Sequence, residues 1–288
     1  MVRSWPQKPG SGMAIEKSKN PAQFLEFERT GWGHSIVGYD DAFGVVTRLT
    51  VEPTLDAANV RSGMRVLDVC CGPGMLAEGA IARGAQAIGL DFSNVVELAR
   101  NVVPAAQFQQ GDAQDLPFPD NWFDAAVCGY GLMHVPDAEK VLSEMQRVVR
   151  PGGRIAVSVW DSKDPLNGFG LIYVAVRAHG NINVPLPHGA DFFQFGTEEK
   201  MEAALKSVGL TEVKATLFDQ KWRVRTADQV LGAVLKGAVR SRAILAAQTE
   251  AQMKAIRGFF EKTLAELPKD GRDSLVPLPA IIGSGAKR

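Results

Sequence analysis

Asp68, Asp91 and Asp112 each stand in or just after a run of apolar, β-forming residues, where a carboxylate is costly unless it has a ligand or partner. The first lies in Val66-Leu67-Asp68-Val69-Cys70-Cys71-Gly72-Pro73-Gly74-Met75-Leu76-Ala77, which reads as a buried strand, a tight Gly-Pro-Gly turn and the opening of a helix. Gly72 and Gly74 let backbone approach a ligand without a Cβ between them, and the free N–H groups of a helix start favour a polar or anionic group. That chemistry is the binding of a nucleotide-type cofactor. The loop alone leaves its kind open. Gly72-x-Gly74-x-x-Ala77 also fits the dinucleotide fingerprint, with Asp91 nineteen residues past Gly72.

The elements around these residues narrow the choice. Apolar runs place strands at Arg65–Cys70, Gln86–Leu90, Ala106–Gln110, Phe123–Gly129 and Arg154–Trp160. Helical patterns separate them: one from about Gly74 to Arg83, closed by Gly84; one from Ser93; and one capped by Asp137 with Val141, Leu142, Met145, Val148 and Val149 on one face. Leu116-Pro117-Phe118-Pro119 is a loop, because its prolines cannot donate to a ladder, and Arg150-Pro151-Gly152-Gly153 breaks the helix before the fifth strand. This alternation predicts an α/β fold built on a doubly wound, mostly parallel sheet. Ligands in such sheets bind beyond the carboxyl ends of the strands. Asp68 and Cys70, Asp91, Asp112, and Gly129 with Tyr130 all fall there, so four separate stretches converge on one crevice.

Composition sets the class. The chain has 288 residues, 45% hydrophobic and 22% charged, enough for one large domain or a core with an appendage. Its 32 basic and 32 acidic residues balance, which leaves no electrostatic footprint for nucleic acid or an anionic membrane. Three cysteines are too few for a disulfide framework and suit a reducing compartment. Cys70 and Cys71 without a nearby histidine make a poor metal site. No apolar run is long enough to span a membrane and Met1–Asn20 has no secretory core, so a cytoplasmic location is expected.

Residues 1–20 read as a flexible arm. Between Pro21 and Val60, Phe24, Phe27 and Trp32 belong to one helical pattern, and Ile36, Tyr39, Phe43, Val46 and Leu49 to a second. After Trp160 the rhythm lapses into an aromatic stretch (Phe169, Tyr173, Phe192, Phe193, Phe195). A helix capped by Thr197 and a strand over Glu212–Val224 follow, then an almost purely helical block and a last apolar run, Leu275–Ile282, expected as the final strand. The expected organisation is an arm (1–20), a core domain (21–225 and 270–288) and a helical lid insertion (226–269).

The motifs resemble those of class I S-adenosylmethionine-dependent methyltransferases, small-molecule branch, and are similar to ubiquinone and menaquinone biosynthesis methyltransferases. The resemblance covers Arg61–Trp160. It rests on the strand-loop segment at Val66–Gly74, Gly89-Leu90-Asp91-Phe92-Ser93, Gly111-Asp112-Ala113, Leu116-Pro117-Phe118, Phe123-Asp124 and Arg150-Pro151-Gly152-Gly153. Cys70-Cys71 departs from it, since many members have small residues there. The family fold implies a seven-stranded, Rossmann-like sheet with its last strand antiparallel. It also implies S-adenosyl-L-methionine as cofactor and S-adenosyl-L-homocysteine as product. Asp68 with the backbone at Cys70, Gly72 and Gly74 would hold the methionine end. Asp91 would accept both ribose hydroxyls, Phe92 would face the adenine, Asp112–Ala113 would read its edge, and the Gly129 carbonyl would lie near the sulfonium amino acid. His134 and Tyr39 are the candidate catalytic residues, as base or orienter.

Three other functions compete. An NAD(P)-dependent oxidoreductase shares the glycine loop and ribose acid, but does not require Gly111-Asp112-Ala113 or Arg150-Pro151-Gly152-Gly153. A non-catalytic S-adenosylmethionine-binding protein would keep the cofactor positions without needing a lid. A nucleic-acid methyltransferase would need a basic stripe, and Gly129-Tyr130-Gly131-Leu132 stands where its motif would be. The expected partner is a small, hydrophobic or aromatic acceptor. The methylated atom and the oligomeric state, a homodimer among the options, are left open.

Overall fold

A computed structural model describes residues 17–35, 38–163 and 167–288. The backbone of the fold is a seven-stranded sheet. Its strands are β1 (Arg65–Val69), β2 (Gln86–Asp91), β3 (Gln107–Gln110), β4 (Phe123–Gly129), β5 (Val149–Trp160), β6 (Thr211–Phe218) and the last strand of the chain, Ala280–Ala286, in the order β3-β2-β1-β4-β5-last-β6. The first five pair in parallel, and the last strand runs antiparallel between β5 and β6. This is the expected α/β, Rossmann-like sheet.

Alternation fixes which residue faces which layer. Leu67, Ala126, Ile155 and Val157 join one buried cluster, while their neighbours Val66, Ala125, Val127 and Ala156 join another. Helices α2 (Val51–Ala57), α3 (Met75–Ala82) and α4 (Val95–Val102) supply the second face; α5 (Ala138–Val148) and α7 (Glu198–Ser207) supply the first, with α6 (Gly168–His179) between them in sequence. Asp137 caps α5 by accepting from Lys140 N at 3.1 Å, and Thr197 caps α7 by accepting from Lys200 N at 3.3 Å. Helix α1 (Pro21–Ser35) and the π, α and 3-10 turns of residues 40–50 precede α2.

Several boundaries differ from expectation for identifiable reasons. The Glu212–Val224 strand is two. After β6 the chain turns at Gln220, and β7 (Lys221–Val224) enters a small three-stranded sheet. The expected last strand, Leu275–Ile282, also straddles two elements. The run breaks after Pro277, with Pro279 next to it, so β9 (Asp273–Pro277) pairs with β7 and with β8 (Lys269–Asp270), while β10 is the Ala280–Ala286 strand. Its glycines belong to the strand: a Cβ at Gly283 would meet Met201 Cγ at 2.3 Å, so a bare backbone is what lets α7 lie against the sheet. Arg150–Gly153 lies within β5, absorbed by a register shift against β4.

The arm is anchored at its end. Lys17 pairs with Asp137 at 2.9 Å and Glu139 at 3.4 Å, and buried Ser18 donates to the His188 carbonyl at 2.7 Å. Residues 17–20 are therefore held in place; the rest of the arm, and Ile36, lie outside the described residues. Helices α8 (Ala227–Gly237), α9 (Arg240–Ala246) and α10 (Glu250–Glu266) form the late helical block, and Val230, Val234, Ile256 and Phe260 bury into the same cluster as the sheet. Among the described residues no helix is long and apolar enough to cross a membrane.

Candidate functional site

The carboxyl ends of β1, β2, β4 and β5 open into a cavity of about 1390 Å³, solvent-open part included, roofed by α1, the 40–50 turns, α6 and the α8–α9 junction. Asp68, Cys70, Gly72, Asp91, Phe92, Gly129, His134 and Tyr39 all line it. Asp112 and Ala113 line a smaller adjoining recess that shares Cys70, Asp91, Phe92 and His134 with it. Gly74 lines neither. It takes φ +91° to start α3, and its missing side chain is occupied by the Phe108 ring, 2.9 Å from where a Cβ would sit. Gly72, at φ +51°, has no such neighbour: the space over it is open.

Asp68 is buried, and Oδ2 accepts the N–H of Ala77 at 3.0 Å from the first turn of α3. Burial pushes its carboxyl up to about 8 against that hydrogen bond, and the nearby Asp91 charge adds to the rise. Among the described residues it has no cation, so a cationic ligand group would relieve it. Ser158, on β5 beside Gly129, has a buried hydroxyl that lines the cavity and has no partner among the described residues. Both features fit a polar, positively charged ligand end at this point.

Asp91 is more committed than expected. Oδ2 accepts the Gly72 N–H at 3.1 Å, while Oδ1 accepts the Ser93 N–H at 3.0 Å and hydroxyl at 2.8 Å. An ionised carboxylate offers about four lone-pair sites, so three are filled and one remains. One of the two expected ribose hydroxyls can add to Oδ2 directly, and the second would share an oxygen with a donor already in place. Burial raises the Asp91 pKa and the three hydrogen bonds oppose that rise. Asp112 is likewise engaged, accepting from Gln114 N at 2.8 Å and from its side-chain amide at 3.2 Å.

Cys70 and Cys71 are held as thiols. Contact with Cys128 and burial push the Cys70 thiol well up, and burial does the same to Cys71. Burial also raises Tyr39, to about 12, and its hydroxyl reaches Thr47 Oγ1 at 3.5 Å. It keeps its proton at neutral pH and is poorly suited to the expected base role.

One contributor was missed from sequence. Glu28 on α1 is buried, and its Oε2 meets His134 Nδ1 at 2.9 Å. The signal was available: Phe24, Glu28 and Trp32 stand four apart and all face the cavity, an acid in the middle of an apolar stripe. Beyond it the walls are aromatic. Phe192 lies 5.7 Å from Phe169 and 5.8 Å from His134, Trp32 lies 4.9 Å from His134 and 5.7 Å from Tyr39, and Tyr130 overlaps Trp160 at 4.1 Å. The cavity thus has a polar floor over the strand ends and an aromatic chamber above.

Residues 67–157 match the family model described as "Methyltransferase domain". A demethylmenaquinone methyltransferase of Geobacillus sp. (strain WCH70) is 41% identical over 132 residues, 42% of this chain and 56% of that protein. The chain thus spans about half the length of the curated relatives it matches. Among solved structures, the YcgJ protein of Bacillus subtilis aligns with a TM-score of 0.53 and 23% identity, covering 83% of this chain and 98% of that one. Phosphoethanolamine N-methyltransferase 2 of Haemonchus contortus, solved with phosphomonomethylethanolamine and S-adenosylhomocysteine, aligns with a TM-score of 0.54 and 20% identity, covering 92% and 60%. At these identities the structural matches establish the fold.

Proposed function

We propose, from the match of residues 67–157 to the methyltransferase domain model, that the protein transfers a methyl group from S-adenosyl-L-methionine to a small hydrophobic or aromatic molecule. The observation that carries this reading is the joining of two unlike halves in one cavity: buried acids and a bare glycine loop at the strand ends, and an aromatic chamber above them.

In this reading Asp68, the Gly72 backbone and the Gly129 carbonyl hold the methionine end. Asp91 takes one ribose hydroxyl, Phe92 lies against the adenine, and Asp112–Ala113 meet its edge. The Ser158 hydroxyl gains a partner. When bound, the cofactor supplies a methyl carbon already activated as a sulfonium. The chain's own task is to orient the acceptor in line with that carbon and to exclude water. Helix α1 and the residues 226–269 act as the lid that does so. The aromatic walls favour a flat, ring-bearing acceptor of the quinol kind, in keeping with the demethylmenaquinone relatives.

Calorimetry with S-adenosylmethionine, S-adenosylhomocysteine, NAD and NADP tests the cofactor half. Micromolar affinity for the first two and none for the dinucleotides is expected. Tighter binding of a nicotinamide dinucleotide would replace this reading with an oxidoreductase.

A further inference from the structure

We infer that Glu28 positions His134 to take the proton of an aromatic hydroxyl, so that the acceptor is a phenol or hydroquinone; this rests on the methyltransferase reading above. Four observations converge. The Glu28 side chain is only 3% exposed, and its one ion-pair partner among the described residues is the His134 imidazole, 18% exposed. A buried carboxylate facing a titratable ring, with no lysine or arginine, is an expensive way to fasten a helix. The contact is made at Nδ1, 2.9 Å from Oε2, and an acceptor-only carboxylate there selects the tautomer with the proton on Nδ1. Nε2 has no hydrogen-bond partner among the described residues and its ring lines the cavity. Trp32 and Phe192 stand edge-on to the imidazole at 4.9 and 5.8 Å, with interplanar angles of 87° and 71°, so the ring is held in plane by packing as well.

The step balances on groups already named. Nε2 of His134 takes the acceptor's hydroxyl proton. The acceptor oxygen, or the ring carbon made nucleophilic by that deprotonation, bonds to the methyl carbon as the carbon–sulfur bond breaks, its electron pair staying on sulfur. Methylation at carbon also expels the proton of that carbon, which restores the aromatic ring. The Glu28 carboxylate offsets the imidazolium charge, with Asp91 close enough to feel it, and the proton then passes to solvent. An amine that enters the cavity neutral needs no such base, so the dyad favours a hydroxyl. Glu28 touches neither reactant and is a positioning residue.

The test compares parent, Glu28→Gln, Glu28→Asp and His134→Gln proteins. Nitrogen NMR of labelled histidine in the S-adenosylhomocysteine complex reads the His134 tautomer, and methyl transfer to 1,4-naphthohydroquinone under anaerobic conditions reads turnover. Glutamine can still hold α1 to the ring, so a mere fastening role predicts little change; but it is neutral and can turn its amide N–H toward Nδ1, so it neither sets the tautomer nor offsets the imidazolium charge. Positioning predicts that Glu28→Gln lowers kcat about 100-fold with KM and S-adenosylhomocysteine affinity within about threefold, and that Glu28→Asp recovers part of the loss. His134→Gln should lose at least as much. The inference is overturned if the parent's Nδ1 is unprotonated, or if Glu28→Gln keeps kcat within threefold. A parent protein that binds S-adenosylhomocysteine yet never methylates naphthohydroquinone overturns the assigned acceptor class. One that fails to bind S-adenosylhomocysteine overturns the methyltransferase reading instead, while the tautomer in the free protein still judges the dyad.

Discussion

Asp91 Oδ2 accepts the backbone N–H of Gly72 at 3.1 Å, so the acid that ends β2 holds the glycine loop that follows β1. The residue proposed for the ribose is therefore also a structural tie between neighbouring strand ends, and substitutions at it report on both roles.

Asp91→Ala should cost at least tenfold in S-adenosylhomocysteine affinity and also lower the melting temperature of the free protein. The Gly72 and Ser93 donors lose an ionised acceptor, with hydrogen bonds to a charge worth roughly 1.5–3 kcal/mol each. Asp91→Asn, which keeps one oxygen, should fall between. Calorimetry and differential scanning together decide it; unchanged affinity with lost stability would make Asp91 a tie alone.

Asp68 makes cofactor binding pH-dependent. Its carboxyl is raised from 3.8 to about 8 by burial, so folding of the free protein favours the protonated form. That stabilisation is fully present below the unfolded value and is lost as pH rises through about 8. A cationic ligand end favours the carboxylate, so binding between these limits releases a proton and affinity climbs with pH, levelling off above about 8. Titrations in buffers of different ionisation enthalpy count the proton. Uptake on binding, or no exchange at pH 6, would contradict the account.

The two loop glycines should fail differently. Gly74→Ala places a Cβ against the Phe108 ring at φ +91° and should lower stability by roughly 1–3 kcal/mol. Gly72→Ala meets open space and should cost about 1 kcal/mol of backbone strain, yet weaken S-adenosylhomocysteine binding more, because its Cβ enters the cavity. Denaturant melts beside calorimetry separate the two; the reverse ranking would misplace the cofactor.

Phe192→Ala should spare the cofactor and damage the acceptor. Its ring bridges Phe169 and His134 in the upper chamber, away from the strand ends. S-adenosylhomocysteine affinity should stay within threefold while kcat/KM for naphthohydroquinone falls about tenfold or more. A matching loss in cofactor affinity would show that the two halves of the cavity are not separable.

The strand ends were legible because each is marked twice, by an apolar run and by an acid or glycine that has no place in a core. Less visible was what depends on adjacency. That Asp91 ties Gly72 follows from β1 and β2 being neighbours in the sheet, which local patterns do not state. The expected last strand stops at Ile282, short of Gly283 and Gly285, because a glycine that ends a strand and one that admits a helix look alike; Met201 and Leu210 distinguish them only in space. Glu28 was passed over because a lone acid in a helix is ordinarily a solvent-facing residue, and only its place between Phe24 and Trp32 argued otherwise.

Methyl transfer itself is read by following a labelled methyl group. The protein would be incubated with S-adenosylmethionine bearing a trideuterated methyl group and with 1,4-naphthohydroquinone, and both products followed by mass spectrometry. The expected products are S-adenosylhomocysteine and a naphthohydroquinone carrying one deuterated methyl, formed in equal amounts and absent without protein. Tight binding of S-adenosylmethionine with no labelled product from this acceptor or from any of a panel of phenols and hydroquinones would contradict methyl transfer, and would make the chain a binding protein built on a methyltransferase fold.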